Sequence, residues 1–334
     1  MKLKKRSFKK LFLPLPYLFP KIFAFRLPRI IVVETANTCM LKCPTCPTVT
    51  AMKRKAGMID MATFRRLADQ IDWKLDKMDF GYSGEPLMNP RIFEMISYAG
   101  KRMIPTGFDT NGMLIEPFVE DIISSKLRFI TISLDGTSNE SLTKFRIGAD
   151  FNKIISGLRK LCRKKRALNL EFPIITMQLI VMKHNEGEID AFIELARDIG
   201  VDKVCLKSLN LNIGFWLSGE ERENLANMYL PTNERYCRYS LNEEGPQFKK
   251  GFLMPCIFPF NDMVVFWNGD VGLCCLDFNG RYIAGNVTEQ PIKDIWRSEL
   301  YNRYRKLIFR RKLEMCKECN FTEDVNEVIA LTEK

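Results

Sequence analysis

Histidine is almost missing from this sequence: His184 stands alone among 334 residues. That excludes multi-histidine metal sites and leaves little for a triad built on a histidine base. No apolar run reaches the ~18–20 residues that a membrane-spanning helix needs. Glycine (19) and proline (16) are not in excess, so the chain is neither fibrous nor disordered in composition. Acidic residues are absent from positions 1–29, which hold nine cations (Lys2, Lys4, Lys5, Arg6, Lys9, Lys10, Lys21, Arg26 and Arg29). Of the net charge of +11, the rest of the chain therefore carries only +2. A nucleic-acid-binding body needs a basic stripe, and this body is near neutral, so no nucleic-acid partner is expected. The basic arm also carries Phe8, Phe12, Tyr17, Phe19, Phe23 and Phe25. Cations beside clustered rings suit peripheral contact with an anionic membrane surface, and equally an extension packed against the outside of a domain. Pro14, Pro16 and Pro20, with no small-residue cleavage site, argue against a signal peptide.

What is present is order. From residue 30, strand-like runs (30–35, 78–82, 106–110, 129–134, 174–182 and 204–209) alternate with helical patterns near 61–72, 91–102, 116–125, 151–165 and 188–199. Phe64, Leu67, Ala68 and Ile71, for example, recur at helical spacing. Alternation of this kind predicts βαβ units with right-handed crossovers and a parallel sheet. Six units are fewer than the eight of a closed barrel. The expected fold is therefore α/β, a partial (β/α)6 TIM-like barrel. The expected divisions are an arm (1–29), the barrel (30–215), a connecting segment (216–253) and a cysteine-rich C-terminal domain (254–334).

Eleven cysteines stand against the single histidine, and seven fall in tight spacings. Cys39, Cys43 and Cys46 follow the first strand, in the loop where parallel α/β folds place their chemistry. Three thiolates within eight residues suit three corners of an iron–sulfur cluster, leaving one iron open; a zinc site would want a fourth ligand. Further short motifs close later strands: Ser83-Gly84-Glu85-Pro86, Thr110-Asn111-Gly112, and Ser133-Leu134-Asp135-Gly136, with Arg146 ten residues on. Singly each is turn chemistry. As an ordered set over residues 30–210 they resemble the radical S-adenosylmethionine (SAM) superfamily.

The resemblance implies that Cys39, Cys43 and Cys46 bind a 4Fe–4S cluster whose open iron chelates SAM. Gly84 and Glu85 would then meet the SAM amino group, and Ser133 and Arg146 its carboxylate or ribose, with Asn111 and Asp135 in the motifs around them. Many members place an aromatic residue before the third cysteine; here it is Thr45.

Cys256, Cys274, Cys316 and Cys319 form a second set. The residues from Met263 to Trp267 followed by Asn268-Gly269-Asp270 predict a β-hairpin, and a helical stretch 292–307 leads to the Cys316–Cys319 pair. Four thiolates make a structural zinc physically adequate. The spacings and the segment 285–296 resemble instead the SPASM/twitch extension of radical SAM enzymes, in the short form with one auxiliary 4Fe–4S cluster. Cys275 adjoins Cys274 as an alternative ligand. Cys162, Cys205 and Cys237 read as packing residues, and His184 as a solvated loop residue.

Oxygen-sensitive iron on free thiols implies a reducing, cytoplasmic setting. The family resemblance implies a flavodoxin- or ferredoxin-type reductant and a 5′-deoxyadenosyl radical that removes a substrate hydrogen. With one auxiliary cluster, the pattern resembles dehydrogenase-like members of the 2-deoxy-scyllo-inosamine dehydrogenase type. That predicts two-electron oxidation of a small-molecule, sugar or lipid-linked alcohol, with Asp109, Gln178 and Lys207 as candidate bases. The alternative is a maturase acting on a ribosomally made peptide; those often add an N-terminal leader-binding domain, for which a 29-residue arm is short.

Overall fold

The computed structural model describes residues 26–211, 217–242, 245–249, 256–317, 319 and 326–331. Of the basic arm 1–29, residues 1–25 lie outside the described residues, so its two readings are not decided there. Among those described, no helix is long and apolar enough to cross a membrane.

Six parallel strands form the centre: β1 (Ile30–Val33), β2 (Lys77–Phe80), β3 (Thr106–Thr110), β4 (Phe129–Ser133), β5 (Ile174–Val181) and β6 (Lys203–Ser208). They pair in sequence order, as the strand–helix alternation predicted. Two of the crossover helices start where a side chain supplies a missing partner of the first turn. Asp60 accepts from Thr63 N–H to start the helix Met61–Asp69, and Asp150 accepts from Lys153 N–H to start Phe151–Ala167. Gly200, in the left-handed conformation, ends the helix Ile189–Ile199.

One face of the sheet is sealed by these helices. Ile31, Val33, Met78, Phe80, Phe108, Ile130, Ile132, Met177 and Leu179 lie fully buried there with Phe64, Leu67, Ile96, Leu158 and Phe192. At ~25 cal/mol per Å2 of apolar surface this is the main driving force for the fold. The other face is open and polar. Register places Val32, Asp79, Gly107, Phe129 and Ile174 in one row, and Asp109, Thr131, Thr176 and Lys203 in the next. Ser133, Gln178 and Cys205 follow, then Ile180 and Lys207. A closed barrel fills this interior with branched aliphatic side chains; here it carries Asp79, Asp109, Lys203 and Lys207.

After β6 come the helix Gly219–Tyr229 and a two-stranded ribbon, β7 (Tyr239–Asn242) with β8 (Gly245–Phe248). The predicted hairpin is β9 (Asp262–Val265) with β10 (Asp270–Gly272), and β11 (Gly285–Asn286) pairs on its outer side. Cys256 and Cys274 flank this hairpin rather than lying in it. The helical stretch 292–307 is two helices, Ile292–Arg297 and Glu299–Phe309, because Ser298 leaves the helical path and caps the second.

The sheet does not stop at the barrel. β9 lies parallel to β1, with Ile30 opposite Asp262. At the far edge β12 (Asn326–Ala330) pairs antiparallel with β6. All but the β7–β8 ribbon thus belong to one ten-stranded sheet, and the cysteine-rich segment extends the barrel at both edges.

Candidate active site

The first thiol set and the short motifs that close β2, β3 and β4 gather beyond the C-terminal ends of the strands. The loop after β1 carries Cys39, Cys43 and Cys46, all half-buried free thiols. Cys39 Sγ accepts from Leu41 N–H (3.4 Å) and from Asn111 Nδ2 (3.5 Å). Burial pushes the Cys43 thiol up to about 11, with Cys39 and Cys46 adding to the rise and Arg146 opposing it. Burial also raises Cys39. Three thiols so placed repel one another as thiolates, and a shared cationic metal group relieves that cost.

The Ser83–Glu85 motif locks onto this loop. Gly84 has φ +68°, and a β-carbon there would stand 2.5 Å from the carbonyls of both Ala36 and Thr38, so only glycine fits. Glu85 N–H donates to Thr38 O (2.8 Å). The Glu85 carboxylate, buried, accepts from Thr110 Oγ1 (2.7 Å), Asn111 N–H (2.8 Å) and Leu87 N–H (3.1 Å). It thereby ties the end of β2 to the end of β3. An ionised carboxylate has about four lone-pair sites, so one is still open to an ammonium group. Asn111 Oδ1 accepts from Met113 N–H, while its Nδ2 reaches Met40 Sδ (3.1 Å).

Asp135 is fully buried at the end of β4 and has no free oxygen: Oδ1 accepts from Ile180 N–H and Oδ2 from Arg146 Nε, both at 2.7 Å. Its role is to hold Arg146, whose guanidinium sits by the Cys43 and Cys46 thiols; the Asp135 carboxylate raises the Arg146 pKa against the effect of burial, with the two sulfurs adding to it. Ser133 Oγ accepts from Gln178 Nε2 at 3.4 Å. Each residue singled out from the sequence on this side is therefore in one region.

The second thiol set also converges. Burial, reinforced by Cys274, Cys319 and Cys316 nearby, drives the Cys256 thiol far up, and Cys316 is pushed up to about 12 by burial with Cys274 and Cys319 close by. Cys274 is raised by its contact with Cys275 and by burial. Arg311 donates to the carbonyls of Cys316 (3.3 Å) and Cys319 (3.2 Å). Cys275 borders Cys274 and Tyr82. Among the described residues no three of His, Cys, Asp and Glu close on one point as ligands of a single ion do.

Several buried groups around the site are not apparent from local sequence. Glu34, fully buried at the end of β1, is clasped by both terminal nitrogens of Arg54 (Nη1 to Oε2, 2.7 Å) and accepts from Trp267 N–H (3.3 Å). Arg54 also donates to Phe278 O (2.6 Å) and lies 4.3 Å from the centre of the Phe266 ring. Gly57 packs against the Trp267 ring so closely that any side chain would collide with it. A lone acid ending an Ile-Ile-Val-Val strand was the available signal for that pair. Asp79 is another: Lys77 Nζ holds Oδ2 at 2.9 Å, Oδ1 is buried without a hydrogen-bond partner, and burial raises its pKa. His184 differs from the solvated reading, being half-buried with its ring edge-on to Tyr229 (6.1 Å); burial, with the Lys144 cation nearby, lowers its pKa.

An open half-barrel with a three-thiol loop after β1 and four converging thiols beside it defines a class of iron–sulfur enzyme scaffold. Residues 33–196 match the radical SAM superfamily and residues 256–320 the SPASM iron–sulfur cluster-binding domain. The chain belongs to the radical SAM superfamily and carries a SPASM-type C-terminal segment. Its cofactors are accordingly SAM, a 4Fe–4S cluster and auxiliary iron–sulfur.

Relatives are distant and diverse. The cofactor-modifying protein of the tungsten-containing aldehyde ferredoxin oxidoreductase of Pyrococcus furiosus is 24% identical over 314 residues (87% of each chain). The SAM-dependent 2-deoxy-scyllo-inosamine dehydrogenase of Niallia circulans is 24% identical, covering 87% of this chain and 92% of its own. The mycofactocin maturase MftC of Mycobacterium ulcerans is 29% identical, covering 79% and 73%. Among solved structures, BtrN in complex with AdoMet and 2-DOIA superposes with a TM-score of 0.55 at 19% identity, over 88% of this chain and 94% of that one. That likeness shows the fold.

Proposed function

We propose that this enzyme performs a two-electron oxidation of a hydroxyl group on a polar small molecule, a sugar or a lipid-linked sugar. The observation that carries the reading is the convergence of Cys256, Cys274, Cys316 and Cys319. Four protein thiolates satisfy a 4Fe–4S cluster completely, which leaves it no open iron for substrate and suits it to electron uptake. In this reading Cys39, Cys43 and Cys46 hold the SAM-binding cluster, with Gly84, Glu85, Asn111, Ser133 and Arg146 around SAM and Asp135 behind Arg146. Cys274 rather than Cys275 is the fourth auxiliary ligand, because it is Cys274 that borders Cys256 and Cys316.

Bound there, SAM and its cluster would supply a 5′-deoxyadenosyl radical for hydrogen-atom abstraction at the substrate carbon, and an auxiliary cluster would supply an acceptor for the remaining electron. The chain supplies the rest. Arg146, fixed by Asp135, presents a cation to the carboxylate end of SAM. The open face of the sheet receives a substrate rich in hydrogen-bonding groups through Asp79, Asp109, Thr131, Thr176 and Lys207. Asp109, exposed on that face two residues before Asn111, takes up the hydroxyl proton as the carbonyl forms. A flavodoxin- or ferredoxin-type protein delivers the initiating electron. The MftC relative favours a second reading, a maturase acting on a peptide laid along the same face.

The test is iron and acid-labile sulfide on anaerobically reconstituted protein, beside a Cys39→Ala/Cys43→Ala/Cys46→Ala variant. About eight irons falling to about four, with 5′-deoxyadenosine from the wild type only, supports the reading. Deuterium transfer into 5′-deoxyadenosine from carbon-deuterated polyols rather than from peptides then separates the two substrates. Four irons in the wild type and none in the variant removes the auxiliary electron acceptor and overturns the dehydrogenase reading.

A further inference from the structure

Immediately after β2 the backbone does something unusual. Tyr82 adopts φ +98°, a region that a bulky side chain enters only when its surroundings force it. The next residues are the Ser83–Glu85 motif packed on the first thiol loop. The Tyr82 side chain runs the other way. Its ring stands edge-on to Phe266 (centroids 5.3 Å, 66°), and its hydroxyl donates to the main-chain carbonyl of Cys274 at 3.2 Å. The carbonyl can only accept, so the phenol O–H is the donor in this contact.

Its neighbours on the C-terminal side are fixed. Phe266 has the Arg54 guanidinium 4.3 Å from its ring centre, and Gly272 lies so close that a β-carbon there would stand 2.9 Å from the ring. One strained residue thus touches both cofactor regions: its backbone leads into Gly84 and Glu85, and its hydroxyl holds the loop that bears Cys274.

We propose that Tyr82 is a positioning residue that registers the Cys274 loop against the SAM loop, and that its hydroxyl favours electron uptake at the auxiliary cluster. The proposal rests on the reading of Cys274 as an auxiliary ligand. The physical reason is electrostatic. An O–H dipole aimed at a ligand's carbonyl draws negative potential away from the cluster, and hydrogen bonds around ligands tune iron–sulfur potentials. The strained backbone is what brings the ring out of the barrel and onto Phe266.

The experiment uses the full chain with Cys39→Ala/Cys43→Ala/Cys46→Ala, so that one cluster is left to titrate, with and without Tyr82→Phe. Its reduction potential is read by electron paramagnetic resonance. Tyr82→Phe keeps the ring and removes one hydrogen bond. The expected result is full iron loading, a melting temperature lowered by only a few degrees, as loss of one hydrogen bond allows, and a potential shifted downward. A net hydrogen-bond contribution corresponds to an about fivefold smaller reduced-to-oxidised ratio at the wild-type midpoint. In the intact enzyme the same change raises 5′-deoxyadenosine formed per product. Iron loading with a wild-type potential overturns the proposal and leaves the cluster assignment standing. No iron in the cysteine variant overturns both. If Tyr82→Phe fails to load iron, Tyr82→Gly, which suits the backbone, decides: a lowered potential supports the role and an unchanged one removes it.

Discussion

Arg54→Met tests how the two cofactor regions are joined. Glu34 is fully buried, and its carboxylate has only Arg54 and the Trp267 N–H as partners among the described residues. Removing the cation leaves a buried carboxylate with one long hydrogen bond, a loss of ~3–5 kcal/mol for such pairs. The Phe278 carbonyl loses its donor as well, worth ~1 kcal/mol, and the Phe266 ring loses a cation worth ~0.5–1 kcal/mol. Methionine restores part of the contact with that ring, so the expected destabilisation is ~4–6 kcal/mol. Glu34→Gln leaves Arg54 bound to Phe278 O and is expected to cost ~2 kcal/mol. If the pair is a unit, the double variant will fall short of the sum by ~2 kcal/mol. The assay is urea unfolding of the cluster-free protein followed by tryptophan fluorescence, because Trp267 sits at the joint. An Arg54→Met loss below ~1 kcal/mol, in the range of exposed pairs, or strict additivity with Glu34→Gln, would refute the reasoning by showing that water already solvates Glu34.

Three further outcomes follow from other sites. Gly84→Ala forces a β-carbon against the Ala36 and Thr38 carbonyls; anaerobic reconstitution should yield about four irons instead of about eight, and full loading would contradict the packing. Asp135→Asn releases Arg146 from its ion pair and should weaken SAM binding about 10–100-fold, as loss of outer supporting groups does; equilibrium dialysis with unchanged affinity would refute that. Burial lifts the Asp262 carboxyl to about 6, above its unfolded value of about 3.9. The native state therefore holds that proton more tightly, and stability is lost as pH rises from about 4 to about 6, by up to ~3 kcal/mol. Asp262→Asn should be more stable than wild type at pH 7.5 and nearly equal to it at pH 4, and a pH-independent difference in urea midpoints would count against the assignment.

The strand–helix alternation was legible because each strand's sealed face is an apolar pattern and several helices have a cap or a stop in their own sequence. Asp60, Asp150 and Gly200 are local signals, and they act locally. The thiol loops were legible for the same reason, as short spacings. What could not be read are pairings across the chain: β9 against β1 is separated from it by more than two hundred residues, and β12 reaches β6 with no periodicity to announce it. The Glu34–Arg54 clasp and the Tyr82–Cys274 contact are likewise long-range. Tyr82 was hidden further because it follows Gly81, so Gly-Tyr-Ser-Gly reads as an ordinary turn. His184 looked solvated because its polar neighbours Lys183 and Asn185 are in its own loop, while Tyr229, against which it packs, is not.

The placement of β9 and β12 at opposite edges also orders events during synthesis. The six central strands leave the ribosome early, yet the edges of β1 and β6 stay uncovered until residues 262–265 and 326–330 follow them. An uncovered parallel sheet edge is a sticky, slowly satisfied surface. The half-made barrel is thus exposed to chaperones and to aggregation for most of translation. The contact between Tyr82 and the Cys274 loop is timed by the same delay, since Cys274 follows β9, which must first dock beside β1. Maturation of this enzyme is in that sense post-translational by topology, and expression at low temperature with abundant cluster-assembly machinery should raise the yield of fully loaded protein.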